Sequence, residues 1–152
     1  MERTVEELLS RAGWRPGRRE LAQVEEWSRR LDSEGGFQIN DAAREALAEY
    51  GGLKVDVHGA GIDVAKGGFQ IDPLLAQGEE ERFSTLGRSC GVRLYPLGEA
   101  YGGHAFLGID ERGEVYLLMD DVTWVARDMT EALEAIVLGK RPRRKSAPDA
   151  TP

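Results

Sequence analysis

Ala43-Arg44-Glu45-Ala46-Leu47-Ala48-Glu49-Tyr50-Gly51-Gly52-Leu53-Lys54-Val55-Asp56-Val57-His58 changes its hydrophobic period half-way along. Up to Tyr50 the apolar residues Ala43, Ala46, Leu47 and Tyr50 recur every three or four positions, as one face of a helix does. Gly51-Gly52 is a C-terminal stop, because glycine accepts the backbone angles that end a helix. Beyond it Val55 and Val57 alternate with Lys54, Asp56 and His58, the period of a strand. Helices therefore lie to one side of this junction and strands to the other.

Working back, Asn40 is a good N-cap for the helix that ends at Tyr50. An earlier helix carries Leu21, Val24, Trp27 and Leu31 on one face and stops at Gly35-Gly36. A first helix carries Val5, Leu8, Leu9 and Ala12, with Thr4 and Glu7 spaced as a capping box, and ends at Gly13. Trp14-Arg15-Pro16-Gly17-Arg18 is the turn between the first two. Trp14 is expected to be buried as its anchor, and Arg18 to tie the turn to a carboxylate or a helix carbonyl.

Working forward, the pattern predicts strands at Val55–Val57, Ile62–Val64 and Phe69–Ile71, with Gly67-Gly68 as a hairpin turn and Pro73 ending the third. Glu79–Cys90 reads as a short helix with Phe83, Leu86 and Cys90 on one side. Strands follow at Val92–Leu97, His104–Asp110, Glu114–Asp120 and Val122–Arg127, with a turn at Asp110-Glu111-Arg112-Gly113. Asp128 and Glu131 open a last helix that buries Met129, Leu133, Ile136 and Val137 and closes at Gly139. The expected class is α+β, with N-terminal helices and one C-terminal helix packed on a mostly antiparallel sheet. One domain over residues 1–140 and a disordered basic tail over 141–152 complete the expectation.

Composition excludes several classes. No apolar run approaches the roughly 20 residues of a transmembrane helix, and the acidic N-terminus lacks a secretory core segment. A single cysteine, Cys90, permits no internal disulfide and no multi-thiolate zinc site. A reducing cytoplasm is the expected compartment, with no membrane partner. The net charge is −7, but residues 140–152 carry +4, so residues 1–139 carry −11. That body repels nucleic acid and suits a basic protein partner.

The search for chemistry finds little. His58 and His104 stand in no metal-ligand motif, and each suits the polar face or end of a strand. Cys90 lies at the wrong end of its helix for an activated thiolate, so a core thiol is expected. Gly59-Ala60-Gly61 leads into a strand and Tyr101-Gly102-Gly103-His104 lacks a P-loop lysine, so both are loops rather than phosphate cradles. Glu79-Glu80-Glu81 suits a helix N-terminus and Asp120-Asp121 a tight turn, more simply than a cation. No catalytic residue, metal or cofactor is expected. Binding to another protein is what remains, and its candidate contacts are acidic or aromatic positions on strand ends and exposed faces: Asp56, Glu99, Tyr101, Asp120, Asp121 and Trp124. For Trp124 the apolar neighbours Val122 and Ala126 favour the core.

Gly13-Trp14-Arg15-Pro16-Gly17-Arg18, Ala48-Glu49-Tyr50-Gly51-Gly52-Leu53, Phe69-Gln70-Ile71-Asp72-Pro73, Tyr95-Pro96-Leu97-Gly98-Glu99, Ile109–Tyr116 and Ala132–Gly139 occur in an order that resembles the third subgroup of the SUKH superfamily of bacterial immunity proteins. The likeness runs over nearly all of residues 5–140. It implies a non-catalytic α+β protein that neutralises a polymorphic toxin by binding its C-terminal domain, commonly a nuclease or a nucleic-acid deaminase. The matching Trp14, Gly17, Arg18, Gly51, Gly98 and Gly113 read as structural. A generic interaction module of the same fold, without a toxin, is the alternative reading. An enzyme or small-molecule binder is the third.

Overall fold

The computed structural model describes residues 1–141, apart from the side chains at 34 and 35, so the expected tail from 142 onward lies outside the described residues. Among them are five α-helices: α1 Arg3–Arg11, α2 Leu21–Gly35, α3 Asp41–Tyr50, α4 Glu80–Cys90 and α5 Met129–Leu138. Six strands join them: β1 Lys54–Val55, β2 Phe69–Gln70, β3 Tyr95–Ala100, β4 Ala105–Ile109, β5 Val115–Leu118 and β6 Val122–Ala126. They form one sheet in sequence order, antiparallel at every pairing. The α+β class expected from the sequence is the one that forms.

The caps follow local chemistry. Asn40 accepts from the Ala43 N–H at 2.7 Å, and Asp128 from the Glu131 N–H at 2.8 Å. At α1 the expectation of a Thr4–Glu7 capping box is corrected: Glu2 is the cap, accepting from the Val5 N–H at 2.9 Å. The helix thus starts two residues earlier, and the Glu2 carboxylate takes the free N–H of Val5. Between α1 and α2, Arg18 donates to the main-chain carbonyls of Glu49 at 2.7 Å and Gly51 at 2.8 Å, where α3 ends. Helix carbonyls are thus the partners of Arg18. Trp14 is half-buried rather than buried, and its indole N–H donates to Glu49 at 3.1 Å.

Strand register sorts the side chains. Val55, Phe69, Ala100 and Ala105 stand directly opposite one another across β1 to β4 and are all buried. The adjacent row belongs to the other face: Lys54, Gln70, Glu99, Phe106, Leu118 and Val122, one from each of the six strands. Helix α4 covers the Phe106 end of that row. Phe83 packs on Phe106 with ring centroids 5.6 Å apart, and the Arg82 guanidinium lies over the same ring. Gly108, in line with Phe106 on this face, leaves room for Phe83 and Leu94. Because helices cover both faces there, β5 is buried at all four positions.

Three further expectations fail, each for a reason visible in the hydrogen bonding or packing. Ile62–Val64 is no strand. The N–H groups of Ile62, Asp63 and Val64 donate to the carbonyls of Leu138 and Gly139 at 2.8–2.9 Å, so they serve the end of α5 instead of a ladder. β1 and β2 are consequently joined by the whole loop of residues 56–68, and Gly67-Gly68 is its last part rather than a two-residue turn. Cys90 is exposed, not a core thiol. The chain turns back at Gly91 and bonds Val92 N–H to the Gly87 carbonyl at 2.9 Å, which leaves Cys90 outside that contact.

Candidate partner-binding site

Where α4 ends its cover, the Lys54–Gln70–Glu99 part of the row is left open. It floors a cleft of about 570 Å³, walled by the 56–68 loop on one side and the Tyr101–Gly103 turn on the other. Asp56, His58 and Lys66 line it from the loop. Three of the six candidate contacts, Asp56, Glu99 and Tyr101, therefore meet in one place.

The loop wall is held rigidly. Besides the three bonds at residues 62–64, Gly67 N–H donates to the Ile136 carbonyl at 2.9 Å and Lys66 N–H to the Gly59 carbonyl at 2.8 Å. The Asp63 carboxylate accepts from the Arg141 N–H at 2.9 Å. Helix carbonyls without partners inside the helix are what this loop satisfies, so its backbone is ordered as part of the α5 cap. It carries Ile62, 65% exposed, on its outer side.

Tyr101 is the other wall. Its N–H donates to the Gly68 carbonyl at 3.0 Å, and its ring lies where a side chain on Gly67 would have to be. Among the described residues it alone, glycine aside, has a positive φ, +57°. Left-handed backbone is uncommon for a bulky residue, and such conformations gather at functional sites. Burial pushes the Tyr101 hydroxyl above the ordinary phenol range, so it is a neutral donor and acceptor near pH 7.

The charges of the cleft are unspent. The side chains of Lys54, Asp56, His58, Lys66 and Glu99 take part in none of the side-chain hydrogen bonds or ion pairs among the described residues. Elsewhere exposed charges pair readily, as in Arg19–Glu45, Arg44–Glu25 and Arg127–Glu131. Two cations and two carboxylates share the cleft with one histidine. It holds no nucleophile with a base, and His104 and Cys90 are not among its lining residues.

The remaining candidates lie apart from it. Asp120 and Asp121 are exposed at the turn between β5 and β6, as expected, and Asp120 borders a separate groove with Arg82 and Met119. Trp124 is half-buried against the core, and its indole N–H donates to Glu114 at 2.7 Å. Sequence reasoning missed Lys54, Gln70 and Lys66. Their signal was alternation with Val55 and Phe69, which places Lys54 and Gln70 opposite the core, but the pairing of β1 with β2 across a thirteen-residue loop was not legible. Among the described residues, no group of three or more His, Cys, Asp or Glu is placed to hold a metal ion, and no helix is long and apolar enough to cross a membrane.

A family model for the SUKH-3 immunity protein matches residues 1–139. The chain belongs to the SUKH-3 immunity protein family. No curated protein and no solved structure matches it. The match to the SUKH-3 family spans every element of the fold and stops where the basic segment begins. The tie of Arg18 to the end of α3 and the left-handed Gly113 accord with a structural part for two of the six residues that match the family pattern.

Proposed function

We propose that this SUKH-3 chain is a cytoplasmic immunity protein of a bacterial polymorphic toxin system. It binds the toxic domain of a cognate toxin, a nuclease or a nucleic-acid deaminase, and neutralises it by protein–protein contact without catalysis. Residues 1–140 act as one domain. The observation that carries the reading is the open half of the sheet. An immunity-family fold leaves one face uncovered there, walled on both sides and lined by charges that have no side-chain partner among the described residues. Unpaired polar and charged groups around an aromatic are the makings of a specific interface.

The test is protection of cells that express the toxic domain encoded in the adjacent reading frame. The Asp56→Ala, Glu99→Ala, Tyr101→Ala chain should fold and fail to protect. The His58→Ala, His104→Ala, Cys90→Ala chain should still protect, since no catalytic step is involved. Loss of protection in a folded chain of the second kind would return the case to an enzyme. Failure of the parent chain to protect would favour an interaction module with a different partner.

A further inference from the structure

We infer that the open half of the sheet takes a polypeptide segment whose charges run in a set order, an acidic side chain over Lys54 and a basic one over Glu99. This rests on the immunity reading above and assigns the chemistry of the toxin surface that the cleft selects. Lys54, Gln70 and Glu99 are directly opposed on three neighbouring strands. Strands lie about 4.8 Å apart, so the cationic and anionic positions stand about 10 Å apart with an amide between them. The ladder fixes their backbones, and among the described residues neither charge is paired.

Among the described residues that line the cleft, Lys54, Lys66 and His58 stand on one side of the charge balance and Asp56 and Glu99 on the other, with the Tyr101 hydroxyl neutral. A uniformly charged ligand is opposed whichever sign it has. A phosphate chain would meet Asp56 and Glu99 on a body of net charge −11, and a polylysine-like strand would meet Lys54 and Lys66. A segment with both signs satisfies both ends. Gln70 offers a donor and an acceptor to its backbone, and Tyr101 a flat wall whose place is held by Gly67. A second copy of this chain carries the same net charge of −7 and is repelled at long range, whereas a basic toxin domain is not. The order of charge then sets specificity. A toxin with the reverse order places like charges together, which repel and exclude it.

The experiment is binding kinetics and calorimetry with the purified toxic domain encoded in the adjacent reading frame, against the full chain. Lys54→Glu and Glu99→Lys should each weaken binding by about 30-fold or more, while the neutral Lys54→Met and Glu99→Gln weaken it less. The Lys54→Glu, Glu99→Lys chain, with the order reversed and the net charge kept, should remain weak. Thermal melting is the check that each variant folds; Lys54 is exposed, so its substitution should leave the fold intact. Tight binding by the parent with reversals inside about threefold would overturn the charge-order inference and leave the immunity reading standing. No binding by the parent would overturn both. Sedimentation showing self-association of the parent, abolished by Glu99→Lys, would overturn it in favour of a second copy as the occupant.

Discussion

The guanidinium of Arg18 holds the main-chain carbonyl of Gly51 at 2.8 Å, across thirty-three residues, while its other arm takes the carbonyl of Glu49. The last carbonyls of a helix carry partial negative charge and lack partners within it. Arg18 supplies both and so fixes the α1–α2 turn to the junction where helices give way to strands. Hydrogen bonds to charged groups contribute about 1.5–3 kcal/mol each, and these are half-buried. Arg18→Ala should therefore lower stability by about 2–4 kcal/mol in urea unfolding with an unchanged slope. Arg18→Lys should recover less than half, because an ammonium cannot fork to two carbonyls.

Asp110, 3% exposed, is the buried carboxylate at the turn between β4 and β5. It accepts from the N–H groups of Arg112 and Glu114 at 2.9 and 3.0 Å and from the Tyr116 hydroxyl at 3.0 Å. Removing the carboxylate takes this acceptor from three donors at once. Asp110→Ala should cost about 2–4 kcal/mol and Asp110→Asn distinctly less, since the amide oxygen still accepts from both N–H groups. Equal loss in the two variants by denaturant midpoint would contradict this account.

Tyr95 and Tyr50 link stability to alkaline pH. Burial is the main cause that pushes both hydroxyls up to about 12. The folded state therefore keeps a proton that the unfolded chain loses near pH 10. Stability from this source is complete below about pH 10 and falls as pH rises from 10 to 12, by about 2–3 kcal/mol for each tyrosine. The Tyr95 hydroxyl has no hydrogen-bond partner among the described residues, whereas that of Tyr50 meets Thr130 at 2.6 Å. Tyr95→Phe should thus be no less stable than the parent at pH 7 and should flatten the alkaline limb. Thermal midpoints from pH 8 to pH 12 decide it.

Gly67 separates the site from the fold. A methyl group there overlaps the Tyr101 ring, which can swing outward, while the Gly67 N–H bond to Ile136 is retained. Gly67→Ala should lower the melting midpoint by only a few degrees yet weaken toxin binding about tenfold, by displacing the wall of the cleft. Unchanged affinity in that variant would remove Tyr101 from the interface.

Long-range attraction should set the speed of encounter. Exposed charges are screened over about 8–10 Å at physiological salt, so association of the −11 body with a basic toxin domain should slow markedly as salt rises. Dissociation should change less, because it reports contacts desolvated at the centre. Asp120→Lys with Asp121→Lys lies away from the cleft. It should slow association a few-fold through net charge alone and leave the off-rate as it was. Surface-binding kinetics across a salt series would show an altered off-rate if the β5–β6 turn touches the toxin.

The order and kind of most elements were legible in the sequence, because these rest on contacts between near neighbours. Asn40 and Asp128 cap their own helices, Gly113 bends its own turn, and the change of period at Gly51-Gly52 marks where helix yields to sheet. The order of short motifs also sufficed to suggest the SUKH-3 family. What depends on residues far apart in the chain came only with the packing of the whole fold. Ile62–Val64 has the alternation of a strand but no neighbouring strand to pair with, and the open carbonyls of α5, more than seventy residues on, claim its N–H groups. The same holds for the site. Asp56, Glu99 and Tyr101 could each be singled out as exposed, acidic or aromatic, yet so could Asp120, Asp121 and Trp124, and composition alone ranks none above the others. Only the register that sets Lys54 opposite Gln70 and Gln70 opposite Glu99, with α4 covering one end of that row and not the other, gathers the first three into a cleft. Side-chain identity is local, but which faces stay uncovered is settled by how the whole chain packs.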